Sequence, residues 1–272
     1  MKSIITFASL LTLVLFSCKE SPQLGPLEEK EAVSQIIEYK EYTGEEPTKP
    51  EDTEFYEPIV PVAVPGINGM APSDAIVLFD GADLNDWVSA NDSTAAIWHL
   101  NKDGSMTVND RTGNIQTKQN FGDIQLHIEW KSPLPAQRDN QNRGNSGIFL
   151  NGIYEVQVLD QNDNPTYING QVGSIYKQHV PLVMASLPTG EWNTYDIIYH
   201  MAEFNTEGAK IKSGTLTLLH NGILVQDHAE IKGTTENIGW PKNPAHGKGP
   251  LMLQDHSDDS RVSYRNIWVR EL

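Results

Sequence analysis

Cysteine is almost missing from this sequence: Cys18 is the only one in 272 residues. Disulfides within the chain are therefore excluded, and core burial must hold the fold. Positive charge is also scarce, with 20 Lys and Arg against 36 Asp and Glu and a net charge of −16. No basic stripe exists to meet a nucleic acid backbone, which excludes nucleic acid as a partner. No Gly-x-Gly-x-x-Gly run stands between a strand and a helix, so a dinucleotide-binding domain is excluded too. After the first eighteen residues no apolar run reaches spanning length, and no long stretch keeps a helical period of 3.6. A chain with roughly 200 residues of alternating texture can still bury a sizeable core.

The N-terminus reads MKSIITFASLLTLVLFSC, with Lys2 ahead of an apolar run from Ile4 to Phe16. That run is too short for an ordinary membrane-spanning helix and fits the core of a signal peptide. Its end, Leu15-Phe16-Ser17-Cys18, resembles the lipobox of bacterial lipoproteins. The resemblance implies a signal peptide over 1–17, lipidation of Cys18, and an exported protein held to the bacterial membrane by lipid alone. Residues 18–73 then form an acidic, Pro-rich linker. Between Lys19 and Glu57, 12 acids face 4 lysines, half of the net negative charge. Prolines and like charges favour an extended tether, with a short helix around Glu28 to Tyr42, where Val33, Ile36 and Ile37 have helical spacing.

From Ile76 short alternating runs are separated by Gly, Asn and Asp. Over Asp123–Trp130, Ile124, Leu126, Ile128 and Trp130 alternate with Gln125, His127 and Glu129, the pattern of a half-buried strand. Tyr154, Val156 and Val158 alternate in the same way with Glu155 and Gln157. Further strands are expected at 97–100, 105–108, 147–150, 194–199, 215–220, 223–225, 251–254 and 262–269, and Asn221-Gly222 suits a type I′ hairpin turn. Many short antiparallel strands without a repeat predict an all-β, two-sheet jelly-roll sandwich over 74–272. Connections at about 131–144, 161–172 and 227–249 are long enough to be functional.

Seven segments occur in order: LFDGADLNDW (78–87), GNSGIFL (144–150), YEVQVLD (154–160), GEWNTYDI (190–197), HNG (220–222), LMLQDH (251–256) and YRNIWVREL (264–272). Together they resemble the 3-keto-disaccharide hydrolase, or 3-keto-glucoside lyase/hydratase, family. The resemblance covers essentially all of 74–272 and implies a concanavalin-A-like fold acting on glycosides already oxidised to a ketone at C3 of glucose. A separate sugar 3-oxidoreductase would act upstream. A C3 ketone acidifies the C2 hydrogen; base removes it, the enolate expels the C1 oxygen, and water adds back. Such a site needs a base, a group that stabilises the enolate oxygen, and an acid for the leaving group. A divalent cation held by carboxylate, imidazole and amide oxygen could serve the second need.

Glu155 and Gln157, at i and i+2, share one strand face, and Gln254 and His256 share another if their strand runs on regularly. Glu155 and His256 are therefore the catalytic candidates, and Glu155, Gln157 and His256 the candidate metal ligands. Glu155-x-Gln157-x-x-Asp160 also resembles the Glu-x-Asp-x-x-Glu signature of retaining glucanases, but an ordinary retaining mechanism wants two carboxyl groups where Gln157 stands. Candidate substrate contacts are Gln157, Gln254, Glu129, Asn145, Lys177, Arg265 and Trp240. Glu129 and His127 could join Glu155 across the sheet, or His127 could sit on a solvated surface. Ser146 could contact a sugar or shape a turn, His246 sits in a Gly-flanked loop, and Trp130 belongs to the core. A sugar-binding lectin and an ordinary retaining glucanase are the competing readings. A lectin would not need Glu155, Gln157, Gln254 and His256 to converge.

Overall fold

The computed structural model describes residues 46–272, and Cys18, the signal peptide and the expected helix at Glu28 to Tyr42 lie outside that range. The described strands are β1 (Ile76–Phe79), β2 (Trp87–Ser89), β3 (His99–Leu100), β4 (Met106–Thr107), β5 (Ile115–Phe121), β6 (Ile124–Lys131), β7 (Ser146–Leu150), β8 (Tyr154–Val158), β9 (Asn193–His200), β10 (Glu203–Phe204), β11 (Lys210–Lys212), β12 (Thr215–His220), β13 (Ile223–Glu230), β14 (Gly249–Leu253) and β15 (Ser263–Glu271). They pair antiparallel into an eight-stranded sheet, β13-β12-β9-β6-β15-β4-β3 with β1 also on β15, and a five-stranded sheet, β2-β5-β14-β7-β8; β10 and β11 form a separate ribbon. The two larger sheets make an all-β jelly-roll sandwich.

Period-2 alternation explains how the sheets meet. Ile124, Leu126, Ile128 and Trp130 of β6 and Ile148, Leu150, Val156 and Val158 of β7 and β8 are all at most 2 % exposed. Each large apolar side chain buried in this way contributes about 1.5–3 kcal/mol. Tyr154 reaches across the core to Tyr199 of β9, ring centroids 6.3 Å apart. Trp130, as expected, lies in the core, edge-on to Tyr195 at 5.6 Å. At the β12–β13 hairpin Asn221 and Gly222 have φ of 52° and 76°, the left-handed pair a type I′ turn requires.

Two features depart from simple alternation. β8 is buried on both faces, with Gln141 and Gly170 meeting the Gln157 side chain, and segment 173–176 runs along its free edge: Gly173 N donates to the Gln157 carbonyl (3.0 Å) and Tyr176 N to that of Glu155 (3.1 Å). The end of the acidic segment also has structure. Ser73 N donates to the Val64 carbonyl (3.0 Å), and the Gly69 carbonyl accepts from Asn266 Nδ2 (2.8 Å) and Trp268 Nε1 (2.9 Å) of β15. Residues 64–73 are thus strapped to the outer face of the eight-stranded sheet.

Candidate active site

On the five-stranded sheet, backbone register brings the central candidates together. Gly147 of β7 pairs with Gln157 of β8, and Gln254, just past β14, donates its N–H to the Gly147 carbonyl (3.0 Å). Gln254, Gly147 and Gln157 therefore form one row across three strands spaced ~4.8 Å apart. Glu155 pairs with Phe149 in the next row, and its carboxylate leans over Gly147: a Cβ at 147 would sit 2.5 Å from Oε1. Only a residue without a side chain leaves that space.

This face is not a solvated strand surface. Glu155 is 4 % exposed and Gln157 1 %. Gln157 Nε2 donates to Gln141 Oε1 (3.0 Å) and the Gly170 carbonyl (3.2 Å), while its Oε1 and that of Gln254 are buried without partners. Asn145, 2 % exposed, donates from Nδ2 to the Gln141 carbonyl (2.6 Å) and leaves its own oxygen unpartnered. Burial pushes the Glu155 carboxyl up to about 8, with the Lys177 ammonium pulling the other way. A carboxyl at that position is largely protonated at neutral pH, as a general acid must be.

Lys177 and Trp240 stand together in one cleft, and the charge of Lys177 reaches Glu155. They line a cleft of about 400 Å³ with Tyr167, Tyr176, Asn169 and Glu236. Lys177 has a left-handed backbone, φ 58°. Its Nζ donates to the Asn237 carbonyl (2.5 Å) and Oδ1 (3.1 Å) and lies 5.2 and 5.7 Å from the ring centroids of Tyr176 and Tyr167. The two phenols share a 2.6 Å hydrogen bond. Trp240, on the Gly239–Pro241 loop, is 87 % exposed, leaving its ring free to stack on a sugar.

His256 lies beyond Gln254 at the end of the β14 edge of the site. Its Nδ1 is 2.7 Å from Asp258 Oδ2, which leaves Nε2 free. Among the described residues no group of three or more His, Cys, Asp or Glu side chains is placed to hold a metal ion. The expected Glu155, Gln157 and His256 set has only two side chains of those types, Gln157 being an amide, and the roles below rest on side chains alone.

Several expectations are corrected. Glu129, His127 and Arg265 do not join Glu155; they occupy the outer face of the other sheet, because β6 and β15 belong to it. His127 is not solvated either, being 5 % exposed. Glu129 receives Arg265 Nε at 2.6 Å and Asn266 Nδ2 at 2.8 Å. Ser146 faces the core, donating to the Gln254 carbonyl and accepting from Tyr264, both at 2.7 Å, so it is not a sugar contact. His246 pins its loop, with Nε2 2.6 Å from the Tyr154 hydroxyl. Asp160 is committed to Arg143 Nε (3.1 Å) and Thr189 (3.0 Å), so it does not serve as the second carboxyl of a retaining pair. Asp258, Tyr176, Tyr167 and Gln141 were not foreseen; Tyr176 directly precedes Lys177, the nearest signal the sequence offers.

A buried acid, a carboxylate-held imidazole and an aromatic cleft on a jelly-roll sandwich define a carbohydrate-cleaving domain. Residues 74–270 match the family profile described as the 3-keto-alpha-glucoside-1,2-lyase-like domain, and the chain belongs to that family. A crystal structure of a Parabacteroides distasonis ATCC 8503 protein, provisionally designated a glycosyl hydrolase, is 52 % identical, with a TM-score of 0.80, covering 85 % of this chain and 99 % of that one. Two more from the same organism with the same designation are 21 % and 22 % identical, with TM-scores of 0.54 and 0.50; they cover 73 % of this chain and 94 % and 99 % of their own, and share the fold. No curated protein sequence matches this chain.

Proposed function

We propose that the domain cleaves glycosides whose glucose unit is oxidised to a ketone at C3, by elimination followed by hydration. The observation that carries the reading is Glu155, a buried carboxyl that no described group hydrogen-bonds, raised to about 8 beside the Lys177 cleft. His256 Nε2 takes the C2 proton. The electron pair forms the C1–C2 double bond, and the C1–O bond breaks. Glu155, protonated, gives its proton to the departing oxygen. The Lys177 ammonium stabilises the charge that gathers on the C3 oxygen. Water then adds across the enone, its hydroxyl to C1 and its proton to C2, so the net change is hydrolysis. Gln157, Gln254 and Asn145 orient the sugar, and Trp240 carries the leaving group.

Family membership supports this substrate class, and the need for a ketone supports a separate oxidoreductase upstream. Export and lipid anchoring through Cys18 remain part of the proposal, supported by the N-terminal sequence. An ordinary glucosidase would need a second carboxyl about 5 Å from Glu155 for retention, and Asp160 is committed elsewhere. The test is a matched pair: an aryl glucoside and its 3-keto derivative, with aglycone release followed. Release from the ketone alone is expected. Release from the unoxidised glucoside defeats the elimination route, and binding without turnover of either leaves a lectin.

A further inference from the structure

We infer that Asp258 is a positioning residue for His256, and that the loop from Asp255 to Arg261 is shaped to deliver it. The inference rests on the reading of His256 as the base. The strand end is fixed first: Gln254 donates to the Gly147 carbonyl (3.0 Å) and accepts from Ser146 Oγ (2.7 Å). Asp255 then caps the turn, its carboxylate accepting from Gly113 N and Ser257 N, each at 2.9 Å.

Beyond it, Ser257, Asp259 and Arg261 all adopt left-handed backbones, φ 57°, 61° and 48°. Three non-glycine residues in that region within five positions persist only where surrounding contacts over-determine them. Those contacts are present. Asp110 accepts from Asp259 N (2.8 Å), and Arg261 forks onto the Asp259 carboxylate (2.6 and 3.0 Å).

The result of the alternation is that Asp258 turns inward, 9 % exposed. Its Oδ2 meets His256 Nδ1 at 2.7 Å, while the His256 side chain keeps 31 % of its surface open. A carboxylate only accepts, so Nδ1 carries the proton and Nε2 presents its lone pair outward. That is the tautomer a C2-proton acceptor needs, fixed before substrate arrives.

The experiment uses the full chain labelled with 15N-histidine, His256 being assigned by difference from His256→Ala. Long-range 1H–15N spectra at about pH 8, where an ordinary imidazole is neutral, are expected to show the Nδ1–H tautomer. Asp258→Asn should lose its dominance and lower kcat on the order of 10²-fold, with KM and Tm little changed; Asp258→Glu should restore the tautomer and part of kcat. An Nε2–H tautomer in the wild type, or an Asp258→Asn protein with unchanged tautomer and kcat, overturns the inference. If Asp258→Asn does not fold, the wild-type and Asp258→Glu spectra decide it. Absence of turnover with the Nδ1–H tautomer intact would fault the reading of His256 as the base and leave the dyad standing.

Discussion

Two glutamates show how differently the two sheets treat a buried acid. Glu129 and Glu155 are 8 % and 4 % exposed, each on the outer face of its sheet. Burial acts to raise both. At Glu129 the His127 imidazole 3.7 Å away and hydrogen bonds from Asn266 and Arg265 outweigh it and hold the carboxyl at about 2. At Glu155 nothing donates, and it rises to about 8. Around Glu129 the network closes: His127 Nδ1 meets Asp196 at 2.7 Å, its ring stacks on Trp268 at 5.1 Å, and Arg265 lies 4.2 Å over Trp192. Around Glu155 amide oxygens are left without partners. A satisfied network stabilises a fold; an unsatisfied one is held at a cost that folding alone does not explain, and it marks where chemistry is done.

Replacing each glutamate by glutamine separates them most sharply. Glu155→Gln should reduce turnover of the 3-keto substrate on the order of 10³-fold, the scale of a lost general acid, while denaturant unfolding shows stability unchanged or raised. Glu129→Gln should do the reverse, leaving kcat within a few-fold and costing about 1–3 kcal/mol by unpairing buried partners. A large kcat loss in Glu129→Gln would erase the distinction.

Gly147→Ala tests the site through sterics alone. The added methyl meets Glu155 Oε1 at 2.5 Å and Phe149 Cε2 at 2.7 Å, so the carboxyl must move. Misplacement of that kind should lower kcat by about 10- to 100-fold with a smaller effect on Tm.

The paired face should report in the pH dependence of stability. Burial would lower His127, but its hydrogen bond to Asp196 and the Glu129 carboxylate 3.7 Å away raise it to about 9. A raised folded pKa gives stability that is complete below the ordinary imidazole value near 6.5 and is lost as pH rises through 9. The depressed Glu129 contributes above about 4.5 and loses its contribution as pH falls towards 2. Tm should therefore fall between pH 6.5 and 9, and His127→Gln should flatten that limb. An equal slope in both proteins would contradict the assignment.

The smallest effect belongs to the cleft rim. Trp240→Ala should raise KM about 3- to 10-fold through lost stacking, with kcat and Tm nearly unchanged because the ring is 87 % exposed.

What the sequence could and could not tell follows from the same pair of strands. Alternation in β6 and β8 correctly separated Ile124, Leu126, Val156 and Val158 from their polar neighbours, since side chains in a strand point to opposite faces. It could not say that Glu129 and Glu155 stand on opposite outer faces of the sandwich, because sheet membership is set by long-range pairing. Asn221-Gly222 was readable because its turn chemistry is local. Asp258 was not, since its meeting with His256 depends on three left-handed residues and on Asp110, distant in sequence. Nor does alternation reveal that Gln157 is covered, for Gln141 and Gly170, which meet its side chain, lie outside the strands.

Whether the proposed site breaks a C2–H bond beside a ketone is read most directly from an isotope effect. A 3-keto glucoside deuterated at C2 is compared with its protiated form, aglycone release being followed in single turnover. Slower release from the deuterated substrate is expected, with the isotope effect on the single-turnover rate and release lost in His256→Ala. Equal rates from both substrates, with turnover retained in His256→Ala, would contradict the proposed route.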